Sequence, residues 1–200
     1  MKNTSLSATL LAGLLLAAGC SSKTDSTQVA DKANDQKIDN ADSARAPPMT
    51  ANSQDNSKDV ADYLVGLANT GRTEFELSQA AAGRASSAAV KTYARQTVTQ
   101  HAKDEQELKA EAAKYSITLP TTLSNDSQQL LASLNQEQAG TAFDKKYLDD
   151  MVDVNDKAIG KAKDLVDKTS NQELKDFVQK IMRDDDGHLN EAKKLKDSIK

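Results

Sequence analysis

Tryptophan is missing from this 200-residue chain, aromatic residues supply only 4% of it, and glycine and proline number 8 and 3. What remains is rich in Ala, Leu, Lys, Asp and Gln, a composition of helical flavour with little provision for turns. The scarcity of aromatics also leaves no aromatic patch from which an adhesive surface would be read. A single cysteine, Cys20, excludes an internal disulfide. There is no glycine-rich phosphate loop and no recognisable Ser-His-acid set, so phosphate binding and serine chemistry have no motif to rest on. Basic clusters are lacking too: 26 Lys and Arg are interleaved with 30 Asp and Glu, for a net charge of −4. Nucleic-acid binding needs concentrated positive charge to displace counterions, so nucleic acid is not an expected partner. The acidic run Asp184-Asp185-Asp186-Gly187 lacks the alternating ligands and terminal Glu of an EF-hand loop and reads as helix surface.

The apolar run from Leu6 to Ala18 falls short of the ~20 residues a membrane-spanning helix needs. Behind the positive charge of Lys2 it suits the central region of a signal peptide. It leads into Leu16-Ala17-Ala18-Gly19-Cys20-Ser21. Small residues before a cysteine resemble a lipobox, although Ala17 stands where leucine is commoner. Acylation gives the lone thiol a role, since two or three buried chains anchor stably where one does not. Residues 1–19 are therefore expected to be a lipoprotein signal peptide, and Cys20 the lipidated residue that holds the chain to a membrane. Ser21, rather than Asp, favours the outer membrane over the inner, with the chain facing the periplasm. Residues 20–56 carry few apolar side chains and no period, so they read as a disordered tether. As a random coil of roughly 35 residues the tether would span ~30–35 Å.

From residue 57 to 200 the apolar positions recur at helical spacing. The first segment runs from about Ser57 to Ala82 along Val60, Leu64, Leu67 and Phe75, with Gly83 as its expected stop. The second runs from Ser86 or Ser87, a good cap, to Tyr115, and Ile117-Thr118-Leu119-Pro120 ends it. A short helix over 126–135 fills a long connection. The third segment covers about 140–168 through Phe143, Tyr147, Met151 and Leu165. The fourth starts near Asn171 and carries Leu174, Val178, Ile181, Leu189 and Leu195. One amphipathic helix cannot bury its stripe alone. The expected fold is all-α, a ferritin-like four-helix bundle with a short extra helix between helices two and three.

Polar residues fall on those stripes. His101 and His188, the two histidines, both point toward the expected core. Asp185 precedes His188 by three residues and shares its side of the helix. Glu74 lies one heptad after Leu67, Glu105 one turn after His101, and Asn155 beside Met151 and Ile159. Buried unpaired, such groups cost several kcal/mol each, at roughly the magnitude of a lost hydrogen bond or more. They must pair with one another, with water or with a metal. Di-metal carboxylate bundles place a Glu on each of two helices and Glu-x-x-His on the other two. Asp185 and His188 echo that pattern, whereas Val98 stands three before His101 and Asn155 is a weak ligand. A metal here would be Fe, Mn, Zn or Cu. An interhelical hydrogen-bond network without metal is the other reading of the same residues.

Four stretches carry a family resemblance: Ala68-Asn69-Thr70-Gly71-Arg72-Thr73-Glu74-Phe75-Glu76-Leu77; Val90-Lys91-Thr92-Tyr93-Ala94 leading to Gln100-His101; Ile117-Thr118-Leu119-Pro120; and Ala142-Phe143-Asp144-Lys145-Lys146-Tyr147-Leu148 followed by Met151-Val152. With His188 near the end, the chain over about 57–198 resembles the ferritin-like family known as domain of unknown function 4142. The resemblance implies a helical bundle in the cell envelope and no established reaction. Members usually have Asp-His where this chain has Gln100-His101, and a histidine where it has Asn155. The expectation is a membrane-anchored, non-enzymatic envelope lipoprotein with an interaction or stress-related role. Its alternative is a metal-binding or metal-dependent redox protein.

Overall fold

The computed structural model describes residues 24–44 and 57–199, without the side chains of 41–44. The signal segment, Cys20 and the 45–56 part of the tether lie outside the described residues. Among those described there are six helices and no strand: α1 (Ser26–Ala44), α2 (Ser57–Arg84), α3 (Ala88–Lys114), α4 (Asn125–Gln136), α5 (Thr141–Lys168) and α6 (Gln172–Ser198). None is long and apolar enough to cross a membrane.

Side-chain caps start three of the helices. Ser87 Oγ accepts from the Val90 N–H, Ser124 Oγ from Ser127, and Asn171 Oδ1 from Leu174, each satisfying a donor that the first turn leaves open. At the start of α5, Gly140 adopts φ +133°, a backbone region that favours glycine. Gly83 does not stop α2, which continues to Arg84. The break comes at Ser86 and Ser87, whose N–H groups donate to the Asp144 carboxylate of α5 at 2.8 Å each. Those two donors are thereby taken out of the helical ladder.

Two apolar clusters hold the four long helices together. One joins Leu77 and Ala81 at the end of α2, Val90 and Tyr93 at the start of α3, Phe143, Tyr147 and Met151 at the start of α5, and Leu195 at the end of α6. The other joins Val60 and Leu64 at the start of α2, Leu108 and Ala112 at the end of α3, Leu165 at the end of α5, and Leu174 and Val178 at the start of α6. The helix ends that meet fix the directions. α2 and α6 run one way, α3 and α5 the other. α3 therefore ends at the opposite pole from the start of α5, and residues 115–140 with α4 carry the chain back along the length of the molecule.

The tether reading fails over α1. Apolar period is indeed weak there, and the helix docks by polar side chains on backbone instead. Asn34, 3% exposed, donates to the Thr118 carbonyl at 3.0 Å and accepts from the Thr118 N–H at 2.7 Å. Lys37 donates to the Ser116 carbonyl and to Thr118 Oγ1. Ser26 Oγ accepts from the N–H groups of Thr121 and Thr122, and Asp25 from that of Asn125. α1 thus straps the 116–125 segment, and among its described apolar side chains only Ala30 is fully buried.

Candidate functional site

The middle of each long helix, between the two apolar clusters, carries polar groups inward. Glu74 comes from α2, His101 from α3, Asn155 from α5, and Asp185 with His188 from α6. Glu74, 1% exposed, is the hub. Its Oε2 accepts from His101 Nε2 at 3.1 Å and from Asn155 Nδ2 at 2.9 Å. The His101 and His188 rings stack at 5.3 Å, and Tyr93 lies edge-on to His188 at 6.2 Å. Gly71 faces His101 Nδ1, and a Cβ there would stand 3.6 Å from it. That is an ordinary van der Waals distance, so a methyl fits there and only a larger side chain would press on the imidazole.

Three atoms of the centre are buried without a hydrogen-bond partner: Glu74 Oε1, Asn155 Oδ1 and His188 Nε2. An unsatisfied buried acceptor or donor costs ~1–3 kcal/mol, so these three atoms call for partners from outside the chain, an ordered water or a bound group. Beside them a cavity of about 290 Å³ reaches in between α2, α3, α6 and the segment that α1 straps. Glu74, His101 and Asp185 line its inner end; Leu67, Phe75, Leu108, Leu119 and Ile181 line its walls. At the mouth, Arg72 and Lys109 both reach Glu105.

Electrostatics follow from burial and proximity. Burial pushes the His101 imidazole toward its neutral form, but the charge and hydrogen bond of Glu74, with Asp185 and Asp104 behind it, together leave the pKa above the ordinary value. Burial, then His101 itself, holds His188 below its ordinary value. Asp185, 4% exposed, is pushed up to about 8 by burial and next by Glu74, with His101 pulling the other way. Its carboxyl is therefore largely protonated at neutral pH, beside a paired imidazole.

The structure thus brings together five of the six residues singled out from sequence. Glu105 is the exception. Its side chain is 45% exposed and holds Arg72 at 2.8 Å and Lys109 at 2.9 Å at the cavity mouth. Two cations in water outcompete a buried position for that charge. Sequence reading puts Ser78 and Tyr147 on the inner stripes but does not single out their hydroxyls, which share a buried hydrogen bond of 2.8 Å. It also missed Asp144, 1% exposed, which receives two backbone N–H groups and the Ser86 hydroxyl. Among the described residues no three or more His, Cys, Asp or Glu are grouped as for a metal ion.

The signature of the domain of unknown function DUF4142 matches residues 45–195. The chain belongs to that family. The DUF4142 match takes in α2 to α5, α6 as far as Leu195 and every residue of the polar centre, while α1 precedes it. The crystal structure of a DUF305 fragment from Deinococcus radiodurans is similar, with a TM-score of 0.63 over 76% of this chain and 99% of that one. At 12% identity the likeness is one of fold. No curated protein matches the chain.

Proposed function

We propose that this DUF4142 protein is a lipid-anchored envelope protein whose helical domain, a ferritin-like four-helix bundle, is a ligand-binding module rather than an enzyme. One observation carries the reading: a cavity of about 290 Å³ ends on Glu74, whose Oε1 is buried and unpartnered. A mostly apolar recess with a few convergent polar groups is what small-molecule sites look like. The lipobox-like sequence before Cys20 supports the anchor, and Ser21 supports the outer membrane. With α1 docked, Cys20 lies six residues before Ser26, which limits the chain between lipid and helix to ~20 Å. Ser26 holds Thr121 of the cavity wall and its neighbour Thr122, so the site stands close to the membrane surface rather than at the end of a long tether.

Two measurements test this. Labelled palmitate is expected in the wild type and not in Cys20→Ala; equal labelling removes the anchor. The chain from residue 20 onward, bearing Cys20→Ser, is expected to brighten the uncharged apolar dye N-phenyl-1-naphthylamine. Gly71→Leu fills the cavity beside His101 and should abolish that signal with helix content unchanged. Dye binding that ignores Gly71→Leu, or none in either protein, overturns the binding module. The metal reading draws on the same unpartnered Glu74 and His188 atoms. A marked rise in melting temperature with Fe, Mn, Zn or Cu would favour it, because a tight ligand of the folded state raises stability.

A further inference from the structure

The walls and the floor of the cavity ask for different things. Leu67, Phe75, Leu108, Leu119 and Ile181 offer an apolar slot. Glu74 and Asp185 offer acceptors at its end. His101 Nε2 serves Glu74 Oε2, Asn155 Nδ2 is shared between that oxygen and the Met151 carbonyl, and no donor of the described residues reaches Oε1. The cations at the mouth, Arg72 and Lys109, are held by Glu105, and Lys180 is held by Asp104, Glu107 and Asp184. The unmet requirement inside is for hydrogen-bond donors bearing positive charge.

Resting on the cavity as the binding site, we infer that its occupant is a small organic amine, an ammonium on an apolar body, with its N–H groups directed to the carboxyl groups of Asp185 and Glu74 at the inner end of the cavity. Charge-assisted hydrogen bonds of this kind are roughly twice as strong as neutral ones. A carboxylate ligand would meet two acidic side chains, and an alcohol brings a single donor. The exchange balances: the ammonium enters, and the proton on Asp185 leaves to solvent. The groups facing Asp185 are Glu74 and Tyr63 from α2, His101 and Asp104 from α3, and Asp184 on α6 itself. From α5 the centre receives the uncharged Asn155, and Tyr147 lies near enough to feel Glu74.

Isothermal titration of the Cys20→Ser chain with three probes of one shape tests the assignment: 1-naphthylmethylamine, 1-naphthylmethanol and 1-naphthoate. The amine is expected to bind at least roughly tenfold tighter than the alcohol, with the naphthoate weakest. Runs in two buffers of different ionisation enthalpy should report about one proton released per amine, and affinity should rise from about pH 6.5 to about pH 8.5. Asp185→Asn should abolish the proton release and bring the amine to the level of the alcohol. Alcohol binding equal to amine binding, or amine binding without proton release, overturns the amine assignment and leaves the binding module standing. If N-phenyl-1-naphthylamine binds and all three probes fail, the amine assignment alone is lost. If that dye fails as well, both readings are lost.

Discussion

Replacing Asp185 by asparagine should remove a pH dependence of stability that the wild type carries between about pH 5 and pH 7.5. The Asp185 carboxyl titrates near 8 in the folded protein against an ordinary value of 3.8, chiefly through burial. Between those values the folded chain holds a proton that the unfolded chain has released. The unfolded state binds fewer protons, so stability falls as pH rises, by up to ~1.4 kcal/mol per unit for one proton. That contribution is complete below 3.8 and gone above about 8. His101, also raised, acts with the same sign above 6.5, and His188, lowered, acts with the opposite sign below 6.5. Both are present in wild type and variant, so the difference between the two proteins reports the aspartate together with its mutual influence with His101. Urea unfolding followed by circular dichroism gives that difference. From about pH 5 to about pH 7 it should grow by roughly 2–3 kcal/mol in favour of Asp185→Asn, with equal urea slopes. Parallel stability curves for the two proteins would refute the placement of Asp185 as a buried, proton-holding acid.

Three further substitutions probe the frame around the centre. Asp144→Ala leaves the N–H groups of Ser86 and Ser87 and the Ser86 hydroxyl without their acceptor; a loss of ~2–4 kcal/mol in urea unfolding is expected, and a loss under ~1 kcal/mol would contradict it. Asn34→Ala removes both hydrogen bonds to Thr118, so the Thr118 amide should exchange at least roughly tenfold faster while amides in the cluster around Leu77 keep their protection; unchanged exchange at Thr118 would mean that α1 is not held there. The combined variant Glu74→Leu, His101→Leu, Asp185→Leu should be at least as stable as wild type at about pH 7.5, because a buried ionic group replaced whole by apolar residues is often neutral or stabilising by ~1–4 kcal/mol. A loss above ~2 kcal/mol would mark the centre as structural.

The sequence is legible where apolar period and caps decide the outcome. α2, α3, α5 and α6 and the short α4 begin and end within a few residues of the positions their stripes and capping serines indicate. Glu74, His101, Asn155, Asp185 and His188 converge because three- and four-residue spacing fixes which side of a helix is inside. Three features escape for different reasons. Asn34 anchors α1 through the backbone of a segment 84 positions away, and no periodicity encodes a side chain that binds main chain. Asp144 looks like an acid in the first turn of a helix, favoured there by the helix dipole, and nothing local reveals that Ser86 and Ser87 need it. Glu105 keeps helical register with His101, yet its charge goes to water and to Arg72 and Lys109. Rotation about the helix axis gives the direction of a side chain but not whether the interior is closed at that level.

Stability in this molecule sits at its two poles, in the clusters around Leu77 and Phe143 and around Leu64 and Leu174. The centre between them opposes folding: a proton-holding acid, an ion-paired imidazole and three unpartnered atoms. A network that only fixed helix register would need partners for its polar atoms and no empty space. Here the unpartnered Glu74 oxygen, the raised Asp185 and the cavity coincide, and the wall of that cavity at Thr121 is strapped by the helix nearest the cysteine expected to carry lipid. Register alone accounts for the hydrogen bonds from His101 and Asn155 to Glu74 Oε2. It leaves Oε1 to a donor from outside the chain, an ordered water or the amine proposed above.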